Sequence, residues 1–224
     1  MSEEPVRVSR ALVVDDHPIV HDALCAALLS LNVFGSVDTE SSLSAASARL
    51  HQVSGYDLLM LDLHLEDTHG LEALTTVRES FPGLPVIIFS ADDSSSTIVS
   101  AYEYGVQGYV AKKEPMKVVR HAIQTVLAGG VYIPPQVVRM LGFEPRPLPA
   151  NTAAAEAPAL PSLSPRQREV MHYLLQGMPN KVIARRLNMA DGTVKSHLNT
   201  VCRAFSVNSR AQLILKAMQM GLIL

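Results

Sequence analysis

Ala11-Leu12-Val13-Val14-Asp15-Asp16 and Leu58-Leu59-Met60-Leu61-Asp62 are the two stretches that decide the fold, because in each a short apolar run ends in carboxylates. Short runs of this β-strand type recur along the first half of the chain, at residues 11–14, 32–37, 57–61, 85–89 and 108–110. Segments of helical length and period separate them, for example residues 19–30 and 70–80. Strands that alternate with helices indicate a parallel sheet covered on both faces. The sequence therefore predicts an α/β fold with a five-stranded, doubly wound parallel sheet.

The charges of the chain divide it into parts. Residues 1–133 hold 8 Lys and Arg against 17 Asp and Glu, whereas residues 162–224 hold 9 against 2, although the whole chain has a net charge of only −2. Seven of the 14 prolines fall in residues 134–161, which reads as a stiff linker with room for a short helix at 135–141. We therefore predict an acidic domain over 1–133, a linker over 134–161 and a basic domain over 162–224 that binds a polyanion.

The basic domain is predicted to be all-helical. Ser164-Pro165-Arg166-Gln167 combines an N-cap, a proline at the first helical position and a capping-box glutamine. Four helices are expected, at residues 165–176, 180–187, 191–205 and 209–220. On the third helix, Val194, Leu198, Val201 and Phe205 form one apolar stripe that must pack on the other helices. Ser196, Asn199 and Arg203 face the opposite way, with Lys195 and His197 on the flanks. A helix with that face is suited to the major groove of DNA.

Polar residues also collect at the carboxyl ends of the predicted strands, where ligand sites form in open parallel sheets. Asp15, Asp16, Asp62, Ser90 and Lys112 all lie at or just beyond such ends. Three converging carboxylates need a cation, and oxygen ligands favour a hard ion such as Mg²⁺. One carboxylate is then placed to accept a phosphoryl group, with a lysine and a hydroxyl stabilising its oxygens. Taken singly, an aspartate at a strand end is more often a turn residue, and Asp16 could merely cap the first helix.

These motifs resemble those of two-component response regulators. The first domain resembles a receiver domain, the last resembles the LuxR-type helix-turn-helix, and the whole chain is similar to the NarL/FixJ family. The resemblance implies phosphorylation on Asp62 by a sensor histidine kinase. It also implies Mg²⁺ bound by Asp16, Asp62 and the backbone carbonyl of His64, with Asp15 acting through water. Ser90 and Tyr109 correspond to the switch residues, and Lys112 to the lysine that stabilises the phosphoryl group.

For the basic domain the resemblance implies binding to double-stranded DNA, with transcription as the output. Lys195, Ser196 and Asn199 match positions that read bases, with His197 and Arg203 beside them. Asn180, Lys181 and Thr193 are assigned to phosphates, near helix N-termini that favour anions. A homodimer is expected, because two-fold operators match two-fold proteins, and RNA polymerase is a further candidate partner. The alternative is a structural four-helix domain whose basic face is merely solvated.

Two departures from the family pattern keep alternatives open. Glu66 replaces a frequent proline and His69 a frequent Asp or Asn, so the receiver could instead act as a dimerisation or interaction module without phosphorylation. A phosphatase of the haloacid-dehalogenase type is disfavoured. Such enzymes need a second acid two residues after the nucleophile, and in this chain His64 occupies that position. We thus expect no enzyme beyond self-phosphotransfer and autodephosphorylation. The widely separated Cys25 and Cys202 and the absence of a run of about 20 apolar residues favour a cytoplasmic protein without a membrane span.

Overall fold

The computed structural model describes residues 9–140 and 161–222. The chain divides into two compact units, Met1–Leu127 and Ala128–Leu224, which are described separately below. None of the helices in the described parts of the chain combines the length and the apolarity that a membrane-spanning helix needs.

The first unit is built on a five-stranded parallel sheet. Its strands are β1 (Ser9–Val14), β2 (Phe34–Glu40), β3 (Leu58–Leu61), β6 (Val86–Ser90) and β7 (Gly108–Ala111), in the order β2-β1-β3-β6-β7. All four pairings are parallel. β1, β3, β6 and β7 are almost entirely buried, as expected of strands covered on both faces. The predicted doubly wound sheet is confirmed, and β2 lies two to three residues later than the sequence indicated.

Five helices accompany these strands. They are α1 (Pro18–Leu29), α2 (Leu43–Gln52), α3 (Glu72–Ser80), α4 (Ser95–Glu103) and α5 (Met116–Leu127). Each buries an apolar stripe, as α5 does with Val119, Ala122, Ile123 and Val126. Helices α2 and α4 each begin at a serine cap. Ser42 and Ser94 accept hydrogen bonds from the backbone N–H groups of Ala45 and Thr97, respectively. Such caps fix where each helix begins.

The sequence did not predict a short antiparallel hairpin that follows β3. Its strands are β4 (His64–Leu65) and β5 (Thr68–His69), with His64 paired to His69 and Leu65 to Thr68. Two residues, Glu66 and Asp67, make the turn. Leu65 is buried and anchors the hairpin. A strand of two residues carries too little periodicity to be read from sequence.

Within its described residues, the second unit begins with α6 (Pro135–Met140) and continues with four more helices. These are α7 (Pro165–Leu175), α8 (Asn180–Leu187), α9 (Asp191–Ala204) and α10 (Arg210–Gln219). The capping box predicted at Ser164 and Gln167 is present in both directions. All four predicted helices are found, within one residue of their expected bounds.

The core of the second unit is formed by the apolar faces of these four helices, and it includes Val194, Leu198, Val201 and Phe205 from α9. Leu213, Ile214 and Ala217 bring α10 into the same core. Val131 and Ile133 also pack against it, although they precede the predicted start of the linker. The boundary at residue 133 stays a prediction, because the Pro-rich stretch 145–158 lies outside the described residues.

Candidate phosphoacceptor pocket and nucleic-acid interface

Two buried aspartates stand side by side at the carboxyl edge of the sheet. The parallel register pairs Val14 with Leu61, so the residues that follow, Asp15 and Asp62, leave neighbouring strands at the same level. Their exposed fractions are only 1% and 2%. This is the point at which the strand order reverses direction, where ligand crevices form in such sheets. Asp16, one residue further along the chain, is partly exposed at the mouth of the crevice.

Lys112 bridges the two buried carboxylates. Its Nζ lies 2.7 Å from Asp15 Oδ2 and 2.7 Å from Asp62 Oδ2. Asp62 Oδ1 accepts from the backbone N–H of Leu63 at 2.7 Å. Burial alone would lower the pKa of Lys112, but its hydrogen bonds to Asp15 and Asp62 outweigh that effect and raise its pKa above the usual value. The ammonium is therefore charged at neutral pH, and it holds both carboxylates in place.

The pocket fits a hard divalent cation. Ligand atoms of Asp15, Asp16, His17 and Asp62 lie within 4.8 Å of one another. Asp16 Oδ1 is a buried atom that makes no hydrogen bond to any described residue, and its close neighbour is His17 Nδ1 at 2.6 Å. Three carboxylates give the oxygen ligands that Mg²⁺ prefers. The imidazole of His17 was not predicted to belong to this group of ligand atoms, and nothing in the strand pattern would have placed it there.

The two predicted switch residues lie on the neighbouring strands. Ser90 ends β6 and is fully buried, and its Oγ accepts from the backbone N–H of Asp92 and lies 3.5 Å from His64 Nδ1. Tyr109 in β7 is also fully buried, and its hydroxyl donates to the backbone carbonyl of Asp92 at 2.6 Å. Burial, followed by the charge of Asp92, raises the pKa of this phenol well above its usual range. One loop residue, Asp92, thus connects the hydroxyl and the aromatic side chain.

The unpredicted hairpin is tied to helix α2 by Asp67. The carboxylate of Asp67 accepts from the backbone N–H groups of Leu43 and Ser44, at 3.0 and 2.9 Å. These are the first residues of α2, so the turn of the hairpin supplements the cap made by Ser42. His64, whose backbone carbonyl was predicted as a metal ligand, starts this hairpin. The position of that residue therefore depends on a contact that spans more than twenty residues of sequence.

Helix α9 presents the predicted polar face to solvent. Thr193, Lys195, Ser196, Asn199 and Arg203 are exposed, and His197 is half-buried. Lys195 Nζ lies 3.3 Å from Asp191 Oδ2, one turn earlier in the helix. Ala190 occupies the N-cap position and offers no side-chain hydrogen bond. The orientation of α9 is therefore set by the packing of its buried residues Val194, Leu198 and Val201.

The residues predicted to meet phosphates lie at the starts of α8 and α9. Lys181 and Thr193 are exposed, and Asn180 is half-buried. Asn180 Oδ1 accepts from the guanidinium of Arg210 at 3.0 Å, a residue that the sequence did not single out. Its spacing of thirty residues from Asn180 leaves no local pattern that could have revealed the contact.

Comparisons with known proteins agree with this architecture. Residues 11–124 match the response regulator receiver domain, and residues 161–217 match the bacterial regulatory proteins of the luxR family. The glycerol metabolism activator of Pseudomonas putida is 32% identical over 93% of this chain and 94% of its own length. The nitrate/nitrite response regulator NarL of Escherichia coli K12 is 29% identical over 94% of each chain. The fold resembles that of the Salmonella typhimurium RcsB response regulator, with a TM-score of 0.55 at 20% identity over 92% of this chain and 96% of that one.

A receiver with an acidic pocket, followed by a LuxR-type helix-turn-helix domain, defines a response regulator. Such proteins are regulators and not classical enzymes. Both domain matches and the full-length relatives show that the chain belongs to the NarL/FixJ family of response regulators.

Proposed function

We propose that phosphorylation of Asp62 by a sensor histidine kinase controls DNA binding by the second domain, and through it transcription. The observation that carries this proposal is the state of Asp62. Its carboxylate is buried at the end of β3, one oxygen is 2.7 Å from Lys112 Nζ, and Ser90 is buried at the end of the next strand. A nucleophile, a cation and a hydroxyl are thereby gathered where a phosphoryl group would sit.

The chemistry is a simple displacement. An Asp62 carboxylate oxygen attacks the phosphorus of the donor, a P–O bond forms, and the bond from phosphorus to the donor's leaving group breaks with its electron pair. Lys112 and the Ser90 hydroxyl stabilise the phosphoryl oxygens. Mg²⁺ held by Asp16 and Asp62, by the backbone carbonyl of His64, and by Asp15 through water would supply charge neutralisation when bound. The other residues of the pocket orient Asp62 and Lys112.

The switch follows from the added charge. Phosphorylation adds about −1.5 to −2 charges and three strong acceptors. Ser90 would donate its hydroxyl proton to these oxygens, whereas its Oγ now accepts from the backbone N–H of Asp92, so a movement of Ser90 toward the phosphoryl group would weaken that bond. Because Tyr109 also binds Asp92, a change at Ser90 is passed to Tyr109 through that loop.

The output is DNA binding through the exposed face of α9. Lys195, Ser196 and Asn199 would read bases, His197 and Arg203 lie beside them, and Asn180, Lys181 and Thr193 would contact phosphates. A homodimer on a two-fold operator fits this geometry, and RNA polymerase is the next partner in transcription. A protein that acts on chromosomal DNA would work in the cytoplasm.

The first experiment measures intact mass and oligomer size after incubation with Mg²⁺ and a small-molecule phosphodonor. Wild type should gain one phosphoryl group and dimerise, whereas Asp62→Asn should do neither. Beryllofluoride, a phosphate mimic, provides the control for rapid hydrolysis. If wild type shows no adduct and no change with beryllofluoride, phosphorylation is not its input.

A second candidate is a regulator that works without phosphorylation, and one observation favours it. Tyr109 already lies inward and fully buried, the position expected to follow phosphorylation. Under this alternative, Asp62→Asn leaves DNA binding and promoter output unchanged. Under the main proposal, the same substitution abolishes the response to the phosphodonor.

A further inference from the structure

Arg210 is a half-buried cation with no carboxylate partner within residues 9–140 and 161–222. It is the first residue of α10. Burial lowers its pKa to about 10, so the guanidinium is still charged at neutral pH. Its Nε is a buried atom without a hydrogen bond to any described residue. Removing a charge from water without a countercharge is costly unless hydrogen bonds satisfy the group.

The guanidinium binds residues at the start of α8 and in the loop just before it. One terminal nitrogen donates to Asn180 Oδ1 at 3.0 Å, and the other donates to the backbone carbonyl of Met178 at 2.7 Å. These two bonds connect the first turn of α10 to the first turn of α8. The planar fork of arginine can make both at once, which a lysine ammonium cannot do with the same geometry.

These contacts determine how Asn180 is oriented. A side-chain amide has an acceptor oxygen on one side and a donor nitrogen on the other. Because Arg210 can only donate, the oxygen of Asn180 must face it, and the two N–H groups of the amide must point away. No described residue accepts from that nitrogen or from the backbone N–H of Lys181. Pro179, at the N-cap of α8, provides no side-chain cap either.

We propose that Arg210 is a positioning residue for DNA binding, which orients the Asn180 amide so that its N–H groups donate to a DNA phosphate. This inference rests on the proposed DNA-binding function. Arg210 acts through Asn180, and its charge reinforces the attraction for the phosphate from behind the first turn of α8.

The test measures binding of the full-length protein to a short fluorescein-labelled duplex of random sequence, by anisotropy, between about 50 and 200 mM salt. Phosphate contacts do not depend on sequence, so no operator is needed. Arg210→Lys should weaken binding about tenfold and leave the salt slope nearly unchanged, because the Asn180 amide is neutral and its loss releases no counterion. Asn180→Ala should have the same two effects.

The double variant distinguishes positioning from a merely structural role. If Arg210 acts through Asn180, Arg210→Lys costs no further affinity in the Asn180→Ala background. If it costs the same factor in both backgrounds, the proposal is overturned. Asn180→Asp provides a second variant: it keeps an acceptor for Arg210, so the domain should stay folded, but it presents an anion to the phosphate. It should bind more weakly than Asn180→Ala, and equal or tighter binding would contradict the proposed orientation.

Arg78 is the matched control. It is also half-buried, its pKa is also lowered to about 10, and it donates to the carbonyl of Leu84 and the side-chain oxygen of Gln107. It lies in the receiver, so Arg78→Lys should leave the affinity for the duplex unchanged. Loss of affinity in Lys195→Ala but not in the Arg210 and Asn180 variants would overturn the positioning role alone. A wild-type protein whose binding ignores salt would overturn the proposed DNA-binding function itself.

Discussion

The acidic pocket and the exposed face of α9 each contain a lysine–aspartate pair, but the two pairs differ in burial and in distance. In the pocket, Lys112 and Asp62 are 18% and 2% exposed and lie 2.7 Å apart. On α9, Lys195 and Asp191 are 64% and 38% exposed and lie 3.3 Å apart. A buried pair is little screened by salt and holds its geometry, whereas an exposed pair contributes little and exchanges partners easily. The buried pair therefore holds the pocket in one geometry, and the exposed pair leaves Lys195 able to exchange its partner.

The largest effect is expected from removing the buried cation. Lys112→Met keeps the apolar stem but leaves Asp15 and Asp62 buried side by side without a countercharge. The free energy of unfolding should fall by about 3 kcal/mol, measured by urea denaturation with a chelator present. Added Mg²⁺ should restore part of this loss, because it replaces the missing positive charge.

Lys113 offers the control for that experiment. It is the next residue, its side chain is exposed, and it pairs with Asp93. Lys113→Met should leave both the stability and its Mg²⁺ dependence unchanged. Equal effects of the two substitutions would mean that the buried pair does not differ from the exposed one.

The next effect concerns the exposed pair. Lys195→Ala should weaken binding to a random duplex about tenfold at low salt, because the side chain is free to exchange Asp191 for a phosphate. The difference from wild type should shrink as salt rises. Fluorescence anisotropy measures it, and Lys216→Ala, an exposed lysine on α10, is the control. A loss of affinity that is independent of salt would argue against an electrostatic contact.

The sequence predicted those parts of both regions that depend on local or periodic patterns. Apolar runs that end in Asp15 and Asp62 mark strand ends, and the Val194–Val201 stripe marks the buried side of α9. The hairpin at His64–His69 escaped prediction, because its strands have two residues each. The contacts of Arg210 and Asp67 were not predicted for another reason. Each of these residues binds residues more than twenty positions away, and a single sequence does not indicate such contacts. The Asp92 carbonyl bound by Tyr109 was missed because backbone groups have no sequence signature.

A smaller effect is expected at the N-terminus of α9. Ala190 has the extended backbone of an N-cap but no side chain that can accept a hydrogen bond. Ala190→Ser should add about 1 kcal/mol to the unfolding free energy of the second domain, measured by thermal denaturation. Ala204→Ser, on an exposed site in the last turn of the same helix, is the control and should not stabilise the protein. Stabilisation by both would show that capping is not the cause.

The smallest effect is expected from Asp67, the exposed carboxylate that ties the hairpin to α2. Its burial alone would raise its pKa, but the N–H groups of Ser44 and Leu43 outweigh that effect and lower the pKa below the usual value. A carboxylate with a lowered pKa stabilises the fold above its ordinary pKa of about 3.9, and that contribution is lost as the pH falls. Asp67→Asn should therefore cost about 0.5 kcal/mol at neutral pH, at the low end for a capping residue because the site is exposed. The difference in unfolding free energy between wild type and Asp67→Asn should close below about pH 4, as followed by urea denaturation across pH.

Glu66→Gln is the control. It alters the neighbouring exposed carboxylate of the same turn and should leave stability unchanged at every pH. A gap for Asp67→Asn that persists in acid would mean that the charge of Asp67 does not hold the hairpin.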